Sequence, residues 1–151
     1  MEKSLKNIVL VGLMGSGKTT VGRRLAHELN IDFFDTDHEI IDKTGVTIDH
    51  IFDIEGEKGF RERESKILEN LCQMSNIILA TGGGIVILPK NRKILINAGL
   101  VVYLFSSVDQ LLRRTAKSKT RPLLENSTDR KKTITELVEA RDVYYLSLIH
   151  I

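Results

Sequence analysis

Glycines at positions 12, 15 and 17, followed by Lys18 and Thr19, stand at the spacing that cradles a phosphate chain. The stretch Gly12-Leu-Met-Gly-Ser-Gly-Lys18-Thr19 follows the apolar run Ile8-Val-Leu-Val11 and leads into Val21–Leu29, which has helical spacing. Strand, glycine-rich turn and helix together turn G-x-x-x-x-G-K-[ST] into a phosphate-binding prediction. Glycines let successive backbone N–H groups curl around an anion, where a Cβ would block the required angles. Lys18 brings a compact positive charge towards the β- and γ-phosphates, and Thr19 offers a hydroxyl to Mg²⁺. The helix that begins there aims its positive dipole end at the anion. A nucleoside triphosphate is therefore the expected ligand, held by Gly12, Gly15, Ser16, Gly17, Lys18, Thr19 and Thr20.

Two further groups of residues fall at expected strand ends. Asp35-Thr36-Asp37 follows Ile31-Asp-Phe-Phe34, and Gly82-Gly83-Gly84 follows Asn76-Ile-Ile-Leu-Ala80 and Thr81. Ligands of open α/β sheets sit beyond the carboxyl ends of the strands, where the phosphate loop also lies. Two carboxylates one residue apart can point different ways, one to a metal and one to a substrate hydroxyl. The plainer reading of either aspartate is a helix N-cap. Three consecutive glycines are costly to order, and the usual return is backbone brought close to a ligand; a flexible turn is the plainer reading. Arg61 lies in the charge-rich stretch Glu55–Glu69, which by default is a solvated face, and composition alone does not single out Arg61, Arg121 or Arg141.

The elements that must position these groups alternate. Strands are expected at Ile8–Val11, Ile31–Phe34, Asn76–Ala80 and Leu100–Phe105, and three of the four are nearly continuous apolar runs, as in a sheet covered on both faces. Helices are expected after the phosphate loop, at about His38–Lys43 with Gly45 as C-cap, and in a short piece capped by Thr47. Others run over Glu57–Cys72 with Phe60, Ile67, Leu68 and Leu71 buried, from Pro89 to Ala98, over Val108–Thr115, and from Asp129 or Thr133 to Tyr145. Alternating β and α segments imply a three-layer α/β architecture with a parallel sheet. The chain's 151 residues suit one domain over 1–151, with a basic loop at about 116–126.

A composition of 42% hydrophobic and 28% charged residues is that of an ordinary globular chain, and a net charge of +2 argues for neither nucleic acid nor an anionic membrane as partner. The single cysteine, Cys72, rules out an internal disulfide. No apolar stretch approaches the roughly 20 residues that span a bilayer, and Ile8–Val11 is too short for a signal peptide. Cytoplasm is the expected compartment. His27, His38, His50 and His150 form no ligand-like cluster.

The combined motifs resemble the shikimate kinase family. Beyond Gly12–Thr19 they are Phe34-Asp-Thr-Asp37, Gly56-Glu-x-x-Phe60-Arg61-x-x-Glu64, Thr81-Gly-Gly-Gly84, Arg121-Pro-Leu-Leu124 and Arg141-x-x-x-Tyr145. Their order and spacing agree from about residue 7 to residue 145. The resemblance implies a P-loop kinase fold with strand order 2-3-1-4-5, and transfer of the γ-phosphate of ATP, with Mg²⁺, to the 3-hydroxyl of shikimate. It assigns Asp37 to the substrate hydroxyls and the reacting proton, and Arg61 and Arg141 to the shikimate carboxylate, which suits a planar guanidinium. Backbone groups of Gly82, Gly83 and Gly84 line the same pocket, and Glu64 holds Arg61. Asp35 reaches the metal alongside Thr19. Arg121 closes over the phosphates from the loop as a lid, Lys18 and Arg121 neutralise the transferring group, and Arg114 lies against the adenine. A monomer acting on a small molecule is expected.

The family usually continues past its last shared helix into a fifth strand, an adenine-contacting loop and a further helix. Here the shared pattern fades after Tyr145. The expectation is a truncated sequence, with Ser147–Ile151 translated from non-native DNA, part of the adenine pocket missing, an exposed sheet edge, and weak stability or activity. Other small-molecule P-loop kinases, for gluconate or nucleoside monophosphates, are not expected to combine Asp37, Arg61, the triple glycine and Arg141. A non-catalytic nucleotide-binding module predicts losses at Lys18, Asp37 or Arg61, and none is lost. A GTPase lacks support because no N-K-x-D motif occurs.

Overall fold

The computed structural model describes residues 7–116 and 129–149. Four parallel strands form the sheet in the order β2-β3-β1-β4: β1 (Asn7–Val11), β2 (Asp32–Asp35), β3 (Ile77–Ala80) and β4 (Leu100–Tyr103). This matches the first four strands of the expected order, and among the described residues there is no fifth. β1 lies between β3 and β4, with Leu10 opposite Ala80 and Val102. The strand ends that carry the glycine and aspartate motifs therefore lie side by side on one edge of the sheet.

Side-chain alternation divides each central strand between two cores. Val9, Val11, Ile77 and Leu79 face the larger one, with Phe60, Leu68, Leu95, Leu111, Ile134 and Tyr145. Leu10 and Ile78 face a smaller cluster with Ala26 of α1 (Lys18–Leu29). α1 sits tightly on that face because position 22 is glycine: a Cβ there would come within 2.5 Å of the Phe33 ring. Three layers result, helix on sheet on helix.

The remaining helices are α2 (Thr36–Thr44), α3 (Ile48–Leu71), α4 (Pro89–Ala98), α5 (Val108–Thr115) and α6 (Arg130–Leu148). α2 begins two residues earlier than the spacing predicts, because Asp35 caps it: Asp35 Oδ1 accepts from the backbone N–H groups of Asp37 and His38. The two helices expected on either side of Gly56 run together as α3, but Gly56 has φ 73° and ψ −179°, so the helix is broken there in conformation. Thr47 caps its start by accepting from His50 N–H, as expected. A short 3₁₀ turn, Ile85–Ile87, follows the glycines and carries no periodic signal in the sequence. α6 runs three residues beyond the expected end at Tyr145, because Leu148 is still in the larger core. No described helix is long and apolar enough to cross a membrane.

Candidate active site

The phosphate loop turns on glycines in left-handed conformations, Gly15 at φ 81° and Gly17 at φ 96°, the latter capping α1. Lys18 folds back over the loop and donates to the carbonyls of Gly12 (2.6 Å) and Leu13 (3.0 Å). Arg114, from α5, donates to the Gly15 carbonyl at 3.1 Å and to Ser106 Oγ at 3.3 Å, bracing the loop from outside. Its expected place against adenine is thus joined by a contact with the loop itself.

Asp35 serves two purposes at once. While Oδ1 caps α2, Oδ2 accepts the Thr19 hydroxyl at 2.8 Å. The cap reading and the functional reading of this residue are not alternatives. Asp37 is different: it lies in the first turn of α2, and its Oδ1 is buried without a hydrogen-bond partner. Burial pushes its pKa up, the neighbouring Asp35 adds to the rise, and Lys18, Arg61 and His38 oppose it. Its Oδ1 packs against Gly82, while the residue itself lines the cavity beside the phosphate loop.

Opposite Asp37, Arg61 and Arg141 are buried, at 8% and 4% exposure, rather than on a solvated face. Arg61 comes from α3, where Phe60, Ile67, Leu68 and Leu71 hold the helix against the core. Its Nη1 donates to Glu64 Oε1 at 3.0 Å and its Nη2 to Glu57 Oε1 at 3.3 Å. Glu64 is wholly buried, and burial together with the charge of Asp37 pushes its pKa up to about 7 against the pull of Arg61 and Arg141. Arg141 comes from α6. Burial lowers its pKa, but a guanidinium starts so high that it stays charged. Tyr145, one turn on, donates to the Gly83 carbonyl and lies close enough to Arg141 for the two to interact electrostatically, so α6 is fastened to the glycine turn.

The glycine turn is packed between these groups. Thr36, fully buried, accepts the Gly82 N–H at 2.9 Å, locking the turn after β3 to the start of α2. A Cβ at Gly82 would come within 2.6 Å of Glu64 Oε2 and 3.0 Å of Asp37 Oδ1, and one at Gly84 would strike the Arg61 guanidinium. Close approach, not flexibility, explains Gly82 and Gly84.

All of this encloses one cavity of about 400 Å³ that joins the phosphate loop to the arginines. Gly15, Gly17, Lys18, Thr19, Thr20, Asp35 and Arg114 line one end; Asp37, Arg61, Arg141 and Gly82–Gly84 line the other. Gly12 and Ser16 belong to the same loop but do not line the cavity. Arg121 and the expected lid loop, apart from Ala116, lie outside the described residues. Thr36, Glu57 and Tyr145 stand inside the matched motifs, but sequence reasoning assigned them no role of their own, nor did it assign a place in the site to the apolar wall of Ile48, Phe52 and Phe60. A hydroxyl or a tyrosine that acts through a backbone hydrogen bond leaves no pattern in spacing.

A triphosphate loop joined in one cavity to a carboxylate and paired arginines defines a P-loop kinase of small anionic alcohols. The sequence model of the shikimate kinase family matches residues 14–151. A shikimate kinase from Burkholderia thailandensis is 51% identical over 144 residues, 95% of this chain and 78% of that protein. One from Nitrosospira multiformis is 53% identical over 145 residues, 96% of this chain and 74% of the relative. The crystallised shikimate kinase from Acinetobacter baumannii, in complex with shikimate, superposes with a TM-score of 0.95 at 47% identity, covering 98% of this chain and 82% of that one. The chain belongs to the shikimate kinase family. A gluconokinase from Sinorhizobium meliloti, 20% identical with a TM-score of 0.51 and covering 89% of this chain and 73% of its own, shares the fold alone.

Proposed function

We propose that this chain transfers the γ-phosphate of ATP to the 3-hydroxyl of shikimate, giving 3-phosphoshikimate and ADP. The observation that carries the reading is the convergence of buried Arg61 and Arg141 on the Gly82–Gly84 turn, in the same cavity as Lys18 and Asp37. Among the cavity's lining residues, Lys18, Arg61, Arg114 and Arg141 outnumber the carboxylates Asp35, Asp37 and Glu64, which favours anionic ligands.

In this reading Arg61 and Arg141 take the shikimate carboxylate, and Asp37 accepts hydrogen bonds from the ring hydroxyls. The 3-oxygen attacks the γ-phosphorus, the bond to the β-phosphate oxygen breaks, ADP departs, and the hydroxyl proton passes to Asp37. Its raised pKa makes it a better acceptor for that proton than an exposed aspartate. A loose transition state asks mainly for alignment and for positive charge around the transferring group, which Lys18 supplies. Arg121, outside the described residues, would add a second cation.

Thr19 and Asp35 suit Mg²⁺: both offer hard oxygen donors, held together at 2.8 Å. Mg²⁺ keeps most of its ligands as water and phosphate oxygens, so two protein oxygens suffice to place it. When bound, Mg²⁺ neutralises the β- and γ-phosphate oxygens. We place the reaction in the cytoplasm and expect a monomer, which sedimentation would check.

An ADP-release assay with shikimate, gluconate and nucleoside monophosphates as acceptors tests the reading. Shikimate-dependent turnover, cut by at least about a hundredfold in kcat/KM by Arg61→Ala, is expected, as for the loss of a buried charged anchor. Preference for another acceptor, or turnover indifferent to Arg61, would count against it.

A further inference from the structure

Arg61 is engaged before any substrate arrives. Glu64 takes its Nη1 and Glu57 takes its Nη2. The two acids are unlike. Glu64 is locked in the interior, with no exposed side chain, whereas Glu57 keeps 51% of its side chain in solvent. Glu57 directly follows Gly56, where α3 breaks, and so opens the second half of the helix one turn before Arg61.

Glu57 also reaches beyond its own helix. Its charge raises the pKa of Arg141 on α6, while Arg61 lowers it. Arg61 and Arg141 therefore repel each other in the empty site, and a carboxylate at the solvent edge offsets that repulsion for both. Asp37 acts on Arg61, and Glu64 on both arginines, from within, but neither can leave.

We propose that Glu57 is a built-in stand-in for the substrate's carboxylate: it holds Arg61 Nη2 while the site is empty and swings into solvent when a carboxylated substrate binds. The proposal rests on the reading of Arg61 and Arg141 as the carboxylate clamp. Observed affinity is then the difference between two carboxylates competing for the same guanidinium. Only a ligand with a full negative charge at that point can replace Glu57 without leaving Arg61 Nη2 unpaired, so Glu57 raises discrimination against uncharged analogues and lowers absolute affinity. An ordinary helix pair that merely orients Arg61 predicts the opposite sign, because its removal would loosen the clamp.

Titration calorimetry of the full chain with shikimate and with shikimate methyl ester, for the wild type, Glu57→Gln, Glu57→Ala and Arg61→Ala, separates these. Both Glu57 variants are expected to bind shikimate about two- to fivefold more tightly, the range for a half-exposed pair. The ester should gain less than the acid. Unchanged or weaker shikimate binding in both Glu57 variants overturns the proposal, as does an equal gain for the ester. If Arg61→Ala binds shikimate as well as the wild type, the clamp reading itself falls and this proposal with it. If Arg61→Ala loses binding while the Glu57 variants gain none, only the stand-in role falls.

Discussion

Asp37 and Glu64 are neighbouring acids with different environments. Oδ1 of Asp37 and Oε2 of Glu64, both buried, crowd the face of Gly82. Asp37→Asn keeps the shape but cannot take a proton, and kcat should fall by about 10²- to 10⁴-fold with a smaller change in KM, read by steady-state kinetics. Glu64 carries a pH signature. Its pKa of about 7 in the fold lies above the ordinary 4.5, so between those values the folded chain holds more protons than the unfolded one. The contribution of this group to stability is therefore full below about pH 4.5 and is lost as pH rises through 7. Thermal melts of the wild type and Glu64→Gln at pH 5.5 and pH 8 should show the variant gaining relative to the wild type at the higher pH. A gap independent of pH would mean that Glu64 does not titrate there. Gly82→Ala places a methyl group against both acids, and kcat/KM should fall by about 10²-fold, the usual penalty for displacing a reacting group by an ångström.

At the scale of elements, single hydrogen bonds join pieces that are far apart in sequence. Thr36 ties α2 to the turn after β3, and Tyr145 ties α6 to the same turn. Thr36→Val keeps the volume and leaves the buried Gly82 N–H without an acceptor, and denaturant unfolding should show a loss of about 1–3 kcal/mol. These ties are also where sequence reading stopped. The phosphate loop, α4 and the cap at Thr47 were legible, because glycine spacing, a proline at N1 and a Thr cap are local signals. The start of α2 was not, because either Asp35 or Asp37 could cap a helix and spacing does not choose between them; the cap is Asp35, so α2 begins two residues before the expected start. Burial of Arg61 and Arg141 was not legible from composition either. A run such as Arg61-Glu-Arg-Glu64 looks solvated until the apolar stripe of α3 turns two of its members inward, and only the family resemblance selected the arginines in advance.

For the whole molecule, the parallel sheet sets three motifs from distant parts of the chain along one edge, and the helices on the larger core's side bring the arginines to them. The three layers were legible from the alternation of apolar runs and helical spacing, whereas the strand order was implied only by the family resemblance. The 3₁₀ turn and the reach of α6 to Leu148 depend on tertiary burial, which no window of sequence reports. The account stands or falls on acceptor choice. The most direct measurement is the product itself: this chain incubated with Mg²⁺, ATP and shikimate, followed by phosphorus NMR and ADP quantification. The account predicts one ADP formed per shikimate phosphorylated at the 3-oxygen, and no such product with Asp37→Asn or Arg61→Ala over the same time. ADP released at the same rate without shikimate, or phosphate carried by another acceptor in preference to it, would contradict the account.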